Sequence, residues 1–119
     1  MLGIFKNPKR RLKKFIRDGE YVEGIAFGKN LESKFADDSD FMFIMGSLYY
    51  IVEDSKKALP YFEKSFQLND SDAETLRLKT NVHLALEQKE EAIDCCYRIL
   101  KIEPRNPEAL ELIKELESL

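Results

Sequence analysis

The fold of this chain can be predicted from two successive stretches of equal length. Residues 39–72 read SDFMFIMGSLYYIVEDSKKALPYFEKSFQLNDSD, and residues 73–106 read AETLRLKTNVHLALEQKEEAIDCCYRILKIEPRN. Aligned without gaps, they agree in the placement of apolar residues far more than in identity. The matching pairs include Ala58 with Ala92, Leu59 with Ile93, and Leu68 with Ile102. A fixed period of this size is typical of repeat proteins, whose units bury their apolar faces against one another.

Each stretch predicts two helices joined by a short polar turn. The apolar residues at the start of residues 39–72 follow the helical period, and they are Phe41, Ile44, Met45, Leu48 and Tyr49. The turn Glu53-Asp54-Ser55 interrupts the pattern before a second run that contains Ala58 and Phe62. Ser71 and Glu74 have the spacing of a capping box, which predicts the start of the next helix at Ser71.

Both ends of the chain extend the same plan. Asn106-Pro107 is a helix start signal, and a stripe of apolar residues follows it. Glutamates occupy the opposite face, which is the pattern of a terminal helix that shields a stack from water. Asn7-Pro8 repeats the start signal near the front, and counting back by one period places a weaker unit at residues 5–38.

The pattern resembles the tetratricopeptide repeat family. That family has small residues at repeat positions 8 and 20 and bulky ones at positions 4, 7, 11 and 24. In residues 39–72 these positions fall on Gly46 and Ala58, and on Met42, Met45, Tyr49 and Phe62. The resemblance implies an all-α fold, a right-handed superhelical stack of helix-turn-helix hairpins with a C-terminal capping helix. It implies a single domain over residues 1–119, made of a degenerate repeat 5–38, repeats 39–72 and 73–106, and a capping helix 107–119.

Composition excludes several classes of protein. The chain has 119 residues and a formal net charge of -3. No apolar run approaches the roughly 20 residues that span a bilayer, and the apolar start leads into charge too early for a signal peptide. Cys95 and Cys96 are adjacent and cannot cross-link the fold, so we expect a reducing, cytoplasmic setting.

The sequence offers no set of residues that performs chemistry. Glycine-rich phosphate loops, the HExxH pattern and the CxxC pattern are all missing, and His83 is the only histidine. We expect His83 and Cys96 to be packed in the core, with Cys95 partly exposed. The sequence therefore predicts a protein that is not an enzyme, with no catalytic residues, no cofactor and no metal site.

The resemblance also implies a concave groove lined by the first helix of each repeat, which binds a peptide or helix of a partner protein. Carried over position by position, its lining residues are Lys9, Lys13, Arg17, Phe43, Ser47, Tyr50, Arg77 and Asn81. Phe43 and Tyr50 have an equally good interpretation as cover for the neighbouring helix. Some family members clamp the carboxylate of a chaperone tail. Lys9 fits that clamp but Ile44, Glu74 and Leu78 do not, so chaperone-tail binding is not predicted.

Charge is distributed unevenly along the chain. The first 17 residues hold seven basic side chains and no acidic one, whereas the remainder holds 12 basic and 22 acidic residues. This asymmetry supports an alternative function, an electrostatic adaptor that docks segment 1–17 on an anionic membrane surface or nucleic acid. The added contacts are Lys6, Arg10, Arg11 and Lys14. The competing interpretation is a solvated helix face paired with the chain's own acids. The sequence leaves a homodimer open.

Overall fold

A computed structural model describes residues 7–118, and within that range the secondary structure is entirely helical. The helices are α1 (Pro8–Arg17), α2 (Tyr21–Lys29), α3 (Ser39–Ile51), α4 (Ser55–Leu68), α5 (Ala73–Ala85), α6 (Lys89–Ile102) and α7 (Pro107–Glu117). The predicted all-α fold is thereby confirmed. Among the described residues, none of the helices is long and apolar enough to cross a membrane.

The first helix of each hairpin begins at a side chain that caps it. Asp38 accepts a hydrogen bond from the backbone N–H of Phe41 at 3.0 Å, Asp72 from that of Glu74 at 3.1 Å, and Asn106 from that of Ala109 at 2.9 Å. These three caps are separated by the 34-residue period. The prediction that Ser71 starts α5 is wrong by one residue. Asp72 caps the helix instead, and its second carboxylate oxygen accepts a hydrogen bond from the Thr75 hydroxyl.

The turn inside each hairpin also recurs with the same period. Gly19, Glu53 and Glu87 are the described residues with positive φ, at 75°, 62° and 58°. The residue after each of them donates its N–H to a carbonyl five residues earlier, at 2.8–2.9 Å. This closure satisfies carbonyls that a helix end leaves open, at the cost of a left-handed residue. Glycine adopts that conformation freely, whereas glutamate is strained in it.

The helices pack in chain order, which produces an elongated stack of 56 × 25 × 22 Å. Each hairpin closes on its own apolar residues, and the next hairpin covers what is left. The close approach predicted at Gly46 is confirmed, because a Cβ atom there would lie 2.8 Å from the Phe62 ring. Ala58 is fully buried, and Pro60 lies exposed within α4. The 34-residue spacing of caps and turns supports the proposed division into repeats.

Candidate binding groove

The first helices of the hairpins form one side of the stack. Helix α1 contacts α3, α3 contacts α5, and α7 lies across a cleft from α5. These four helices therefore form a continuous surface, which we call the groove. Its ends differ in charge and in shape, because different side chains fill the spaces between successive helices.

The N-terminal end of the groove is basic in sequence but paired in structure. The Lys9 ammonium lies 2.9 Å from an Asp38 carboxylate oxygen and 3.6 Å from one of Asp40, and Lys13 lies 3.5 Å from Asp40. The hydrogen bond to Asp38 raises the pKa of Lys9. Burial favours a higher pKa for Asp38, but hydrogen bonds from Lys9 and from the Phe41 N–H outweigh it and lower the pKa. Two of the predicted groove cations are thus engaged with the chain's own acids.

The middle of the groove holds the predicted aromatic residues. Phe43 is half-buried, and its ring meets the Phe62 ring edge-on with 5.9 Å between centroids, so it covers the neighbouring helix. The Ser47 hydroxyl donates to the Phe43 carbonyl at 2.8 Å, within its own helix. Tyr50, in contrast, lines an open depression of about 950 Å³ together with Asn81 and Leu86. Of the two aromatic side chains, Tyr50 is therefore the one that borders open space.

The C-terminal end of the groove contains a cleft of about 480 Å³ between α5 and α7. Its apolar floor is formed by Ile99 and Ile102 of α6 with Ala109 and Leu112 of α7. Asn81 lines both this cleft and the depression beside Tyr50, so the two spaces are neighbours on one surface. A cleft of this volume is in the range that holds ligand or peptide side chains.

Arg77 lies on the rim of the cleft and is paired within its own helix. Its Nε donates to a Glu74 carboxylate oxygen at 2.9 Å, and a second nitrogen contacts the other oxygen. This pair raises the pKa of Arg77 and lowers that of Glu74. The guanidinium is therefore held in place over the cleft, with much of its charge offset by Glu74.

The basic face of α1 is also partly engaged. Lys14 lies 3.4 Å from Asp18, and the Arg11 guanidinium lies 5.1 Å from the centroid of the Phe27 ring. Arg10 and Arg17 are exposed and form no ion pair among residues 7–118. Lys6 lies outside the described residues. The structure brings the basic residues of α1 close together, but it commits several of them to intramolecular contacts.

Glu108 and Leu112 line the cleft, yet sequence reasoning assigned them only to a capping helix. The sequence contains a pattern that places Glu108 in the cleft. The period that relates Asp72 to Asn106 also relates Glu74 to Glu108, and both glutamates line the cleft. Applying the repeat beyond residue 106 would have identified α7 as a fourth groove helix.

The residues considered for chemistry are structural. His83 is buried, with Nδ1 2.8 Å from the Gln88 side-chain oxygen, as expected. Cys96 is buried as expected, but the expectation that Cys95 is partly exposed is wrong, because only 2% of it is accessible. Burial raises the pKa of both thiols, which disfavours the reactive thiolate. Within the described part of the chain, no three potential metal ligands are grouped together.

Comparisons with known proteins agree with this architecture. Residues 39–72 match the family model described as tetratricopeptide repeat. The predicted resemblance to that family is thereby confirmed. A sequence comparison with curated proteins gave no match.

Solved structures with a similar fold extend the likeness over nearly the whole chain. The first TPR of Spaghetti (RPAP3), bound to the HSP90 peptide SRMEEVD, is 22% identical with a TM-score of 0.83 and covers 93% of this chain and 88% of its own. The Yersinia enterocolitica type III secretion chaperone SycD, in complex with a peptide of the translocator YopD, is 14% identical with a TM-score of 0.78. That match covers 98% of this chain and 88% of the chaperone. At these identities the comparisons show that the fold is shared.

Proposed function

We propose that this chain is a non-enzymatic scaffold that binds a peptide segment or a helix of a partner protein along the groove. The observation that carries the proposal is the continuity of the depression beside Tyr50 with the apolar cleft at Arg77, joined at Asn81. Together the two spaces present an apolar floor bordered by polar side chains, which suits an extended or helical ligand. Similar folds hold peptides, as in the SycD complex, and this supports the proposal by analogy.

The proposal predicts that residues at the junction of the two spaces contact the partner. A photo-reactive amino acid placed at Asn81 should cross-link defined cellular proteins, which mass spectrometry then identifies. The matched control carries the same probe at Tyr97, which is 47% exposed on α6 outside the groove. Tyr50→Ala with Arg77→Ala should reduce the adducts at position 81 about tenfold, because aromatic and arginine contacts dominate binding energy. The same adducts at both positions would contradict the groove.

Lys9 and Lys13 belong to the proposed groove through a different role. Their pairing with Asp38 and Asp40 means that they bind an anionic partner only by exchanging one carboxylate for another. Such an exchange gains little net energy at an exposed site. We therefore assign the affinity to the middle and the C-terminal end, and to the basic end a role in orientation.

The electrostatic adaptor remains a separate prediction. Co-sedimentation with vesicles that contain phosphatidylserine, and with an oligonucleotide, tests it at two salt concentrations. Arg10→Glu with Arg17→Glu should abolish an electrostatic interaction, since these cations have no intramolecular acid among the described residues. Binding that ignores both salt and these substitutions would refute the adaptor.

A further inference from the structure

We propose that the cleft between α5 and α7 receives the N-terminal segment, residues 1–11, of a second copy of this chain. The inference rests on the proposed groove function for its location, and it goes further by naming the occupant. Three features carry it: the chemistry of the cleft, the composition of the segment, and the separation of the two along the stack.

The cleft combines an apolar floor with an acidic rim. Four carboxylates line it. Arg77 is the one basic side chain among the described residues that line the cleft, and it is already bound by Glu74. The carboxylates belong to Asp72, Glu74, Glu103 and Glu108. Asp72 caps α5 and Glu103 accepts a hydrogen bond from Asn106. Glu108 forms no ion pair within residues 7–118, although it lies near enough to Arg77 for its charge to act on that guanidinium. An occupant that fits must present a large apolar side chain next to positive charge.

Residues 1–11 read MLGIFKNPKRR and have that composition. Leu2, Ile4 and Phe5 supply apolar side chains for the floor, and basic residues follow directly. Lys9 and Arg11 are engaged with Asp38 and Phe27 of their own copy, so Lys6 and Arg10 provide the charges that meet the acidic rim. Arg10 is exposed and has no ion-pair partner within the described chain.

The helix that carries Arg10 does not pack against the helices of the cleft in one molecule. Asn7 caps α1, which packs on α2 and α3, whereas α5 and α7 lie beyond α3 in a stack 56 Å long. Within one copy, Arg10 on α1 is therefore separated from Glu108 on α7 by the intervening helices α3 and α5. A second copy delivers the whole segment without that constraint. Reciprocal exchange between two copies fills both clefts and closes the assembly as a dimer.

Sedimentation velocity of the purified full chain tests the inference directly. The mass should rise from 13.9 kDa toward twice that value with increasing concentration, and added salt should weaken the association. Glu108→Lys should weaken dimerisation about tenfold, as should Arg10→Glu, because each juxtaposes like charges. The two substitutions together should restore association, since they exchange the partners' charges. Phe5→Ser should weaken it through the apolar contact alone.

Controls separate this inference from loss of fold and from the proposed function. Glu63→Lys makes the same charge change on α4, outside the groove, and should leave dimerisation unchanged. Circular dichroism confirms that each variant is folded. A labelled peptide of residues 1–11 should bind the chain and be released by Glu108→Lys. A monomer at all concentrations that also ignores this peptide overturns the inference, as does concentration-independent docking within one copy. Because Asn81 also lines this cleft, a probe there should capture a second copy as an adduct of twice the chain's mass, whereas the proposed function predicts adducts with other proteins.

Discussion

The second and third hairpins solve the same packing problem with different side chains. Where α3 crosses α4, Gly46 lies against the Phe62 ring, so one partner has no side chain and the other is large. The residues one period later are Thr80 and Cys96, two side chains of intermediate size that lie beside each other. Both crossings fill the space between the two helices, but they divide the side-chain bulk differently between them.

The first hairpin places the large and the small residue of its crossing on the opposite helices from the second hairpin. Its crossing pairs the fully buried Leu12 with Gly28, where a Cβ atom would come 3.4 Å from Leu12 and would collide with Met45 of α3. A large residue on the first helix and a small one on the second therefore replace the opposite arrangement in α3–α4. This is why the front of the chain matches the repeat pattern weakly although its turn and its helices follow the same plan.

Replacing Gly46 and Phe62 with the residues found one period later, Thr and Cys, should have the largest effect on stability. Gly46→Thr should overpack the Phe62 ring and cost about 1–3 kcal/mol, and Phe62→Cys should leave a cavity and cost about 2–4 kcal/mol. The double variant should lose less stability than the sum, because the smaller partner accommodates the larger one. Urea denaturation of the four proteins measures the coupling. Additive losses would show that the two positions do not share one volume.

Two substitutions in the turns should change stability by smaller amounts and in opposite directions. Gly19→Ala should destabilise the protein by about 1 kcal/mol, because φ is 75° and the new side chain meets no other atom that could compensate. Glu53→Gly should stabilise it by about 0.5–1 kcal/mol, since glycine relieves the strain at the same turn. Thermal unfolding reports both signs.

Glu23→Gly is the matched control for the turns, because it places glycine on an exposed position inside α2. There the substitution should destabilise by about 1 kcal/mol. Stabilisation at Glu23, or destabilisation at Glu53, would contradict the assignment of the effect to the left-handed conformation.

Removing the charge of Asp38 should have the smallest effect on stability, and this effect should depend on pH. Asp38→Asn keeps a good helix cap but removes the ion pair with Lys9, and should cost about 0.5 kcal/mol at neutral pH. Because the pKa of Asp38 is lowered in the folded state, its charge contributes stability above the unfolded pKa of about 3.9. That contribution is lost as the pH falls through the folded pKa.

The difference in stability between the wild type and Asp38→Asn should therefore narrow on acidification below about pH 4. Asp72→Asn is the control, since Asp72 caps α5 in the same way and makes no ion pair among the described residues. A gap between wild type and Asp38→Asn that stays constant with pH would refute the role of the ion pair.

Much of this fold was predictable from the sequence, and less of the candidate site. Helices α3 to α7 followed from apolar periodicity, and Asn106 was identified as a cap from the dipeptide Asn-Pro. The predicted groove residues lie on α1, α3 and α5, but whether each side chain is free to meet a ligand did not follow from the sequence. Lys9 and Lys13 face acids of the neighbouring helix, and Phe43 packs on Phe62, because both contacts depend on how successive helices are set against each other.

The period, the helices and the positions at which they cross can be predicted from the sequence, because they depend on local spacing and on the need of each hairpin to bury an apolar face. The pairing of charges and the position of the cleft, in contrast, depend on how the helices are assembled. Those properties arise between helices distant in sequence, where the space left by side chains such as Ala109 and Asn81 is a property of the assembled stack.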